Sequence, residues 1–514
     1  MPELAEDSIN WFEMKGIAVR LQGRIVLEKV DWDFGKKEHW AILGGNGAGK
    51  STILRVLAQQ IPYCEGTLRR NPELQGVTNL RWVHLNQPVG LLAQEKLKDR
   101  WEEYSGREQE QQTIQSMFSE NILAEKKNKE LLRLMQLDSK VDRPIHGLSN
   151  GEWRKLLLLQ ALIRLPKLLM LDEPFDGLDK NSSKDFKSLL RELVQHSKSS
   201  LILVSHRQDE LIPEITDVLG LWNGEMKFSG KRSSVLTELN LKKIYRSEPK
   251  ASEIRNFDTK IILSESKNIE DSSVPPVKME NVHLYYQGHK VFEDFSWTWP
   301  PGEHWQVAGP NGSGKSTLVK LIVGEHLQAY SNRVWIFGKR RGSGENIWDL
   351  RKRIGLVTPE LQMNYRKNIT GRKVVYSGFN DSIGFYGAIS EQQKEMAEKW
   401  LNQFDLFEIA ESSFLNLSYG QQRLFLLARA MVKSPKLLLL DEPCQGLDPY
   451  QRTELIKKID LLGKSKVTQI LYISHQVEDK LECIQATIFL PDGRVERNLS
   501  ASQRLQFHNS DKFI

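Results

Sequence analysis

Gly44-Gly45-Asn46-Gly47-Ala48-Gly49-Lys50-Ser51-Thr52 returns 265 positions later as Gly309-Pro310-Asn311-Gly312-Ser313-Gly314-Lys315-Ser316-Thr317. Both runs fit G-x-x-x-x-G-K-[ST]. In that pattern glycines let backbone N–H groups close around nucleotide phosphates, the lysine reaches the β/γ-phosphates and the hydroxyl ligates Mg²⁺. Each run follows an apolar stretch, Trp40-Ala41-Ile42-Leu43 in one case and Trp305-Gln306-Val307-Ala308 in the other, and each precedes a helix-like run. A Gly-rich turn arising twice in that context by chance is a poor reading. The chain is expected to carry two phosphate-binding loops.

The repeat extends outward from the loops. At the same offset Lys37-Glu38-His39-Trp40 matches Gly302-Glu303-His304-Trp305. Further on the offset becomes 269, pairing Leu148-Ser149-Asn150-Gly151 with Leu417-Ser418-Tyr419-Gly420. Leu171-Asp172-Glu173-Pro174, Gly177-Leu178-Asp179 and Ser205-His206 recur in that register as Leu440-Asp441-Glu442-Pro443, Gly446-Leu447-Asp448 and Ser474-His475. Blocks that keep one register mark a duplicated domain. We therefore expect a first domain at 1–230, a linker at 231–278, a second domain at 279–500 and a C-terminal tail at 501–514. Short apolar runs such as Leu168-Leu169-Met170-Leu171 and Ile470-Leu471-Tyr472-Ile473 read as buried strands alternating with helix-like stretches. That is an α/β pattern whose parallel strands aim their carboxyl ends at the phosphates.

Composition narrows the class. With 72 basic and 66 acidic residues the net charge is +6, a small excess spread along the 514 residues. It argues for no particular anionic partner. Cys64, Cys444 and Cys483 are far apart, which supports neither a zinc site nor a disulfide framework and fits a reducing compartment. The acidic start, Met1-Pro2-Glu3-Leu4-Ala5-Glu6-Asp7, does not resemble a leader peptide, and no stretch nears the roughly 20 apolar residues of a spanning helix. A cytoplasmic location is expected, at most peripheral at the inner face of a membrane.

The recurring blocks each suggest chemistry. Asp-Glu at the end of an apolar strand sets two carboxylates beside the phosphate loop. Asp172 and Asp441 are expected to organise the Mg²⁺ shell with Ser51 and Ser316, and Glu173 and Glu442 to act as general bases on an attacking water. His206 and His475, each after a strand and a serine, are placed to hydrogen-bond the γ-phosphate or that water. Leu-Ser-x-Gly opens a helix in each half, so Ser149 with Gly151, and Ser418 with Gly420, form amide-rich anion sites. Each half's own loop already cradles a phosphate, which leaves those sites without an assigned ligand.

Phosphate loop, Leu-Ser-x-Gly signature, Asp-Glu strand, Gly-Leu-Asp loop and switch histidine, in this order, resemble the ATP-binding cassette ATPases, and the resemblance covers nearly the whole chain twice. It implies tandem nucleotide-binding domains, ATP and Mg²⁺ as ligands, and head-to-tail cassettes in which each signature completes the other's site. Lys50, Asp172, Glu173 and His206 would then work with Ser418 and Gly420. Lys315, Asp441, Glu442 and His475 would work with Ser149 and Gly151, with Asp179 and Asp448 coupling the two sites.

The sequence also departs from the family. Its third signature position, usually glycine, is Asn150 in one half and Tyr419 in the other, and Tyr419 is expected to crowd the nucleotide. Tyr286 fits the adenine-stacking aromatic in the second half, where the first half has Leu21. The glutamine sent to Mg²⁺ after a strand is assigned to Gln94, in Val89-Gly90-Leu91-Leu92-Ala93-Gln94, with Gln87 second. The second half has Pro359 there, with Glu360 or Gln362 as substitutes. Among tandem cassettes without membrane domains, the run from Ala329 through Lys339-Arg340-Arg341 to Asp349 is similar to a transport-type group named for molybdate. That implies a membrane permease or another protein as partner. The ribosome-binding translation factors rank second, because their linker is longer and strongly basic while residues 231–280 carry 10 basic and 8 acidic side chains.

Overall fold

In the computed structural model the described residues run from 10 to 245 and from 273 to 497, apart from 22, 77, 85–111, 119–121, 124, 146, 147, 149, 165, 198, 287, 288, 366, 367, 475–478 and 480. The chain divides into two compact units, one of residues 1–249 with 448–450 and one of residues 250–447 with 451–514. Each contains a six-stranded sheet and a smaller antiparallel one.

In the first unit β1 (Asn10–Leu21) pairs antiparallel with β2 (Arg24–Gly35) and, on its other side, with β4 (Glu65–Arg70). β3 (His39–Gly44), which leads into the phosphate loop, lies inside the larger sheet instead. That sheet has the order β5-β6-β7-β3-β8-β9, with β5 at Leu80–His84, β6 at Leu168–Asp172, β7 at Ser200–Ser205, β8 at Asp217–Trp222 and β9 at Glu225–Lys231. All neighbours are parallel except β8 and β9.

The continuous apolar runs follow from burial on both faces. Trp40, Ile42, Leu168 and Met170 face a core shared with the antiparallel sheet and α1 (Lys50–Leu57). Their alternates Ala41, Leu43, Leu169 and Leu171 face a second core. There they meet α3 (Asn150–Leu162) and α4 (Lys180–His196), with α2 (Lys126–Leu134) farther out. The indole of Trp11 on β1 donates to Ser200 Oγ at 2.8 Å, tying the two sheets together.

Part of the segment read as a linker is built into the first unit. Lys231 closes β9, then α5 (Arg232–Val235) and α6 (Glu238–Tyr245) follow, and Ile244 is buried in the same core as α3. Composition hid this because Lys242 and Lys243 flank the apolar positions of a short amphipathic turn.

The second unit repeats the plan. β10 (Val277–Tyr286) pairs with β11 (His289–Trp299) and with β13 (Arg333–Ile336), which carries β14 (Lys339–Arg340). Here too the first strand begins before the expected boundary, at Val277. The larger sheet runs β15-β16-β17-β12-β18-β19, the same order as its counterpart. Its strands are β12 (Trp305–Ala308), β15 (Ile354–Val357), β16 (Leu437–Asp441), β17 (Gln469–Ile473), β18 (Ala486–Phe489) and β19 (Arg494–Arg497). The duplication reaches the packing, since Trp32 meets Trp40 at 5.4 Å between ring centroids and Trp297 meets Trp305 at 5.6 Å. The helices that matter below are α7 (Lys315–Val323), α8 (Ile347–Lys352), α9 (Pro359–Asn364), α10 (Gly371–Tyr376), α11 (Glu391–Gln403), α12 (Tyr419–Met431) and α13 (Pro449–Lys464). The three cysteines are all free thiols. Among the described residues no helix is long and apolar enough to cross a membrane.

Leu171 is fully buried on β6, one residue before Asp172. Leu171→Ala should cost about 2–5 kcal/mol. A urea titration followed by tryptophan fluorescence should show a correspondingly lower midpoint, and an unshifted midpoint would mean that this strand does not carry the core.

Candidate nucleotide site

Each phosphate loop leaves the end of a central strand and re-enters as a helix. Gly47 and Gly49 have φ of 80° and 97°, and Gly312 and Gly314 have 81° and 95°, a left-handed pair that only glycine adopts without strain. This turn aims backbone N–H groups inward and starts α1 and α7 at the lysines. Lys50 Nζ donates to the Gly44 and Gly45 carbonyls at 2.9 and 3.0 Å, and Lys315 Nζ to those of Gly309 and Pro310, both at 2.9 Å. Both lysines are buried, so each ammonium depends on these bonds. Asn46, Ala48, Asn311 and Ser313 complete the loops, with Ala48 N–H on Gly45 and Ser313 N–H on Pro310 at 3.2 Å each. Ser51, Thr52, Ser316 and Thr317 lie in the first turns of the helices.

The Asp-Glu pairs sit where the strands end. Asp172 and Asp441 are the last residues of β6 and β16, and both are buried. Glu173 and Glu442 then turn left-handed, at φ 49° and 48°, a conformation uncommon for glutamate and held by its surroundings. Their N–H groups bond Val204 and Ile473 on the neighbouring strands at 3.0 and 2.9 Å. Glu173 Oε1 lies 3.3 Å from Lys50 Nζ and 3.8 Å from His206 Nδ1. Burial raises the Glu173 carboxyl, but Lys50 and His206 outweigh it and hold the group well below the usual carboxylate range. Burial lowers His206, and Glu173 and Glu210 more than reverse that. In the second unit burial pushes Asp441 up to about 7, with Glu360 and Glu442 adding to the effect and Ser316 and Lys315 opposing it.

The Oδ1 atoms of Asp172 and Asp441 are buried with no hydrogen-bond partner. A hard cation beside the loop serine fits that donor set. Among the described residues no cluster of three or more His, Cys, Asp or Glu forms a metal cage.

The signature is described best in the second unit. Ser418 caps α12, accepting from Gln421 N–H at 3.2 Å while Gln421 Oε1 accepts from Ser418 N–H at 2.9 Å. A Cβ on Gly420 would fall 2.8 Å from Gln451. Tyr419 packs against the core with the Arg423 guanidinium 5.4 Å from its ring, so in this conformation it is largely engaged within its own unit. In the first unit Gly151 is in the first turn of α3, and Glu152 pairs with Lys140. Asp179 caps α4, accepting from Ser182 N–H at 2.8 Å, and Asp448 precedes α13.

Ser149, Gln94, Gln87 and His475 lie outside the described residues, and so does the side chain of Tyr286, whose backbone ends β10. Leu21 is packed against the first core. The strand bonded to β6 is Leu80–His84, ten positions before Gln94 and three before Gln87. In the second unit Thr358 caps α9, with Pro359 in its first turn. Gln362 donates to Gln422 at 2.7 Å rather than standing free, and Glu360 is the substitute that acts electrostatically on Asp441.

Two features escaped the sequence reading. Arg154 on α3 donates from Nη1 to the Pro174 carbonyl at 2.5 Å and from Nη2 to that of Asp176, which ties the signature helix to the loop carrying Glu173. Ser205 Oγ donates to Glu210 at 2.5 Å and Ser474 Oγ to Asp479 at 2.6 Å, fixing the start of each histidine loop. The repeated Gly-x-x-Arg and the acidic residue five positions after each serine were the available signals.

The family model described as ABC transporter matches residues 27–176 and 292–445. The ABC transporter ATP-binding protein ModF of Escherichia coli is 37% identical over 90% of this chain and 93% of its own length. An uncharacterized ABC transporter ATP-binding protein of Schizosaccharomyces pombe is 29% identical over 91% and 96%. Among solved structures, an archaeal ribosome recycling factor bound to a ribosomal stalk protein is similar in fold, with a TM-score of 0.54 and 18% identity over 96% of this chain and 98% of that one.

Arg154→Ala should leave the Pro174 and Asp176 carbonyls unpaired at roughly 1–3 kcal/mol each. Calorimetry should show a lower Tm for it, with Arg154→Lys recovering little because an ammonium cannot fork to both oxygens. Full recovery by lysine would reduce the role of Arg154 to charge.

Proposed function

The chain belongs to the ATP-binding cassette family of ATPases, and on that premise we propose that it binds two ATP–Mg²⁺ and hydrolyses them to close and reopen its cassette pair. In this reading each phosphate loop works with the signature of the opposite cassette, Lys50 with Ser418 and Gly420, Lys315 with Ser149 and Gly151. The observation that carries it is the Lys50–Glu173–His206 set, in which a base kept ionised by an adjacent cation faces the phosphate loop. When phosphate oxygens draw Lys50 away, Glu173 is released as a carboxylate able to take a proton from the attacking water. His206 is poised to hydrogen-bond the γ-phosphate, and the loop amides with the lysine hold the charge that spreads over it. Mg²⁺ would be held by Ser51 with Asp172 and by Ser316 with Asp441, where it would offset the negative charge of the phosphates. Gln94 and Tyr286 complete the proposed ligand set.

The motion serves transport. Similarity to ModF, a protein named as an ABC transporter ATP-binding protein, supports a role as the ATP-binding component of a transport system for molybdate or another cargo, acting on a membrane permease in the cytoplasm.

Glu173→Gln combined with Glu442→Gln should lower ATP hydrolysis by about 10²–10⁴-fold while leaving ATP binding intact. Undiminished turnover would remove both glutamates from the chemistry. Held in ATP, the same double variant should co-purify with a membrane permease; co-purification with ribosomes instead would move the chain to the translation-factor class.

A further inference from the structure

The residues set opposite the two strand-end aspartates differ. β5 and β6 are parallel, and their register sets His84 directly opposite Asp172. His84 Nδ1 lies 3.1 Å from Asp172 Oδ2. Asp172 is fully buried and its Oδ1 has no partner. In the second cassette β15 and β16 pair Val357 with Leu440, so the residue opposite Asp441 is Thr358. The Thr358 hydroxyl accepts from Leu361 N–H at 3.1 Å as a helix cap. The Asp441 Oδ1 is likewise buried with no hydrogen-bond partner.

We propose that His84 is a positioning residue of the first cassette: its Nδ1–H holds Asp172 Oδ2 and thereby aims the free Oδ1 at the divalent cation of bound ATP. The inference rests on the ATPase reading above and deepens it. A neutral imidazole suffices, since only the tautomer with hydrogen on Nδ1 is needed, and that hydrogen bond in turn fixes the tautomer. Removing a residue that orients a metal-binding carboxylate typically costs about 10–100-fold in metal affinity. The Trp82 ring, 6.0 Å from the imidazole, braces it on the edge strand. A histidine on an edge strand is ordinarily a solvated side chain. Here it faces a wholly buried carboxylate.

The test uses the full chain carrying Lys315→Ala, so that only the first cassette's loop is intact, with Mn²⁺ and a non-hydrolysable ATP analogue, and reads free Mn²⁺ by electron paramagnetic resonance. His84→Ala should raise the half-saturating Mn²⁺ concentration about tenfold, with analogue binding in EDTA unchanged. His84→Asn, whose amide N–H stands where Nδ1–H stood, should recover most of the loss. Should the alanine variant not fold, His84→Leu removes the donor while keeping the bulk. An unchanged Mn²⁺ half-saturation on removing the donor, or an equal loss in His84→Asn, would overturn the proposal. If analogue binding in EDTA fell as far as binding with Mn²⁺, the ATP-site reading could stand while His84 would be shown to act on the loop rather than on the metal.

Discussion

A lysine ammonium buried against the carbonyls of its own loop is the constraint on which each cassette depends. Lys50 and Lys315 are buried with two carbonyl oxygens accepting from each, and Glu173 adds a carboxylate beside Lys50. Those carbonyls point inward only because Gly47, Gly49, Gly312 and Gly314 accept left-handed φ. The loop in turn needs a strand ending in mid-sheet, which is why β3 and β12 lie between parallel neighbours. Mid-sheet strands are covered on both faces, and this sets the unbroken apolar runs and the helices around them.

The carboxylates inherit their geometry from the same sheet. An aspartate that closes a strand and a glutamate that turns left-handed after it diverge, so under the proposed mechanism one pair of adjacent residues would serve both metal and water. The backbone holds this turn in both cassettes through the bonds to Val204 and Ile473. The side chains around it differ. Glu173 is balanced by Lys50 and His206, while Asp441 sits among Glu360 and Glu442. Arg154 grips the loop after Glu173, whereas the buried guanidinium of Arg423 at the equivalent signature position has no hydrogen-bond partner and rests over Tyr419.

Much of this was legible in the residues. Phosphate loops, Asp-Glu ends and the duplication are short-range patterns whose chemistry is tied to spacing, and an α/β fold in two tandem domains follows from them. The segment after Lys231 was not legible, because two short helices with few apolar anchors look like linker by composition. The strand beside β6 was not picked out for a related reason, since Leu80-Arg81-Trp82-Val83-His84 carries two polar residues. His84 was invisible because its role arises from strand register, which no local motif encodes, while the repeated Gly-x-x-Arg marked Arg154 without showing its contact 20 residues away.

The central claim is that one fold carries two nucleotide sites that are chemically unequal. Steady-state ATPase of Lys50→Ala against Lys315→Ala tests it most directly. The account predicts that both variants lose activity by clearly different factors. Equal losses would contradict it, leaving the differences around the two loops without functional weight.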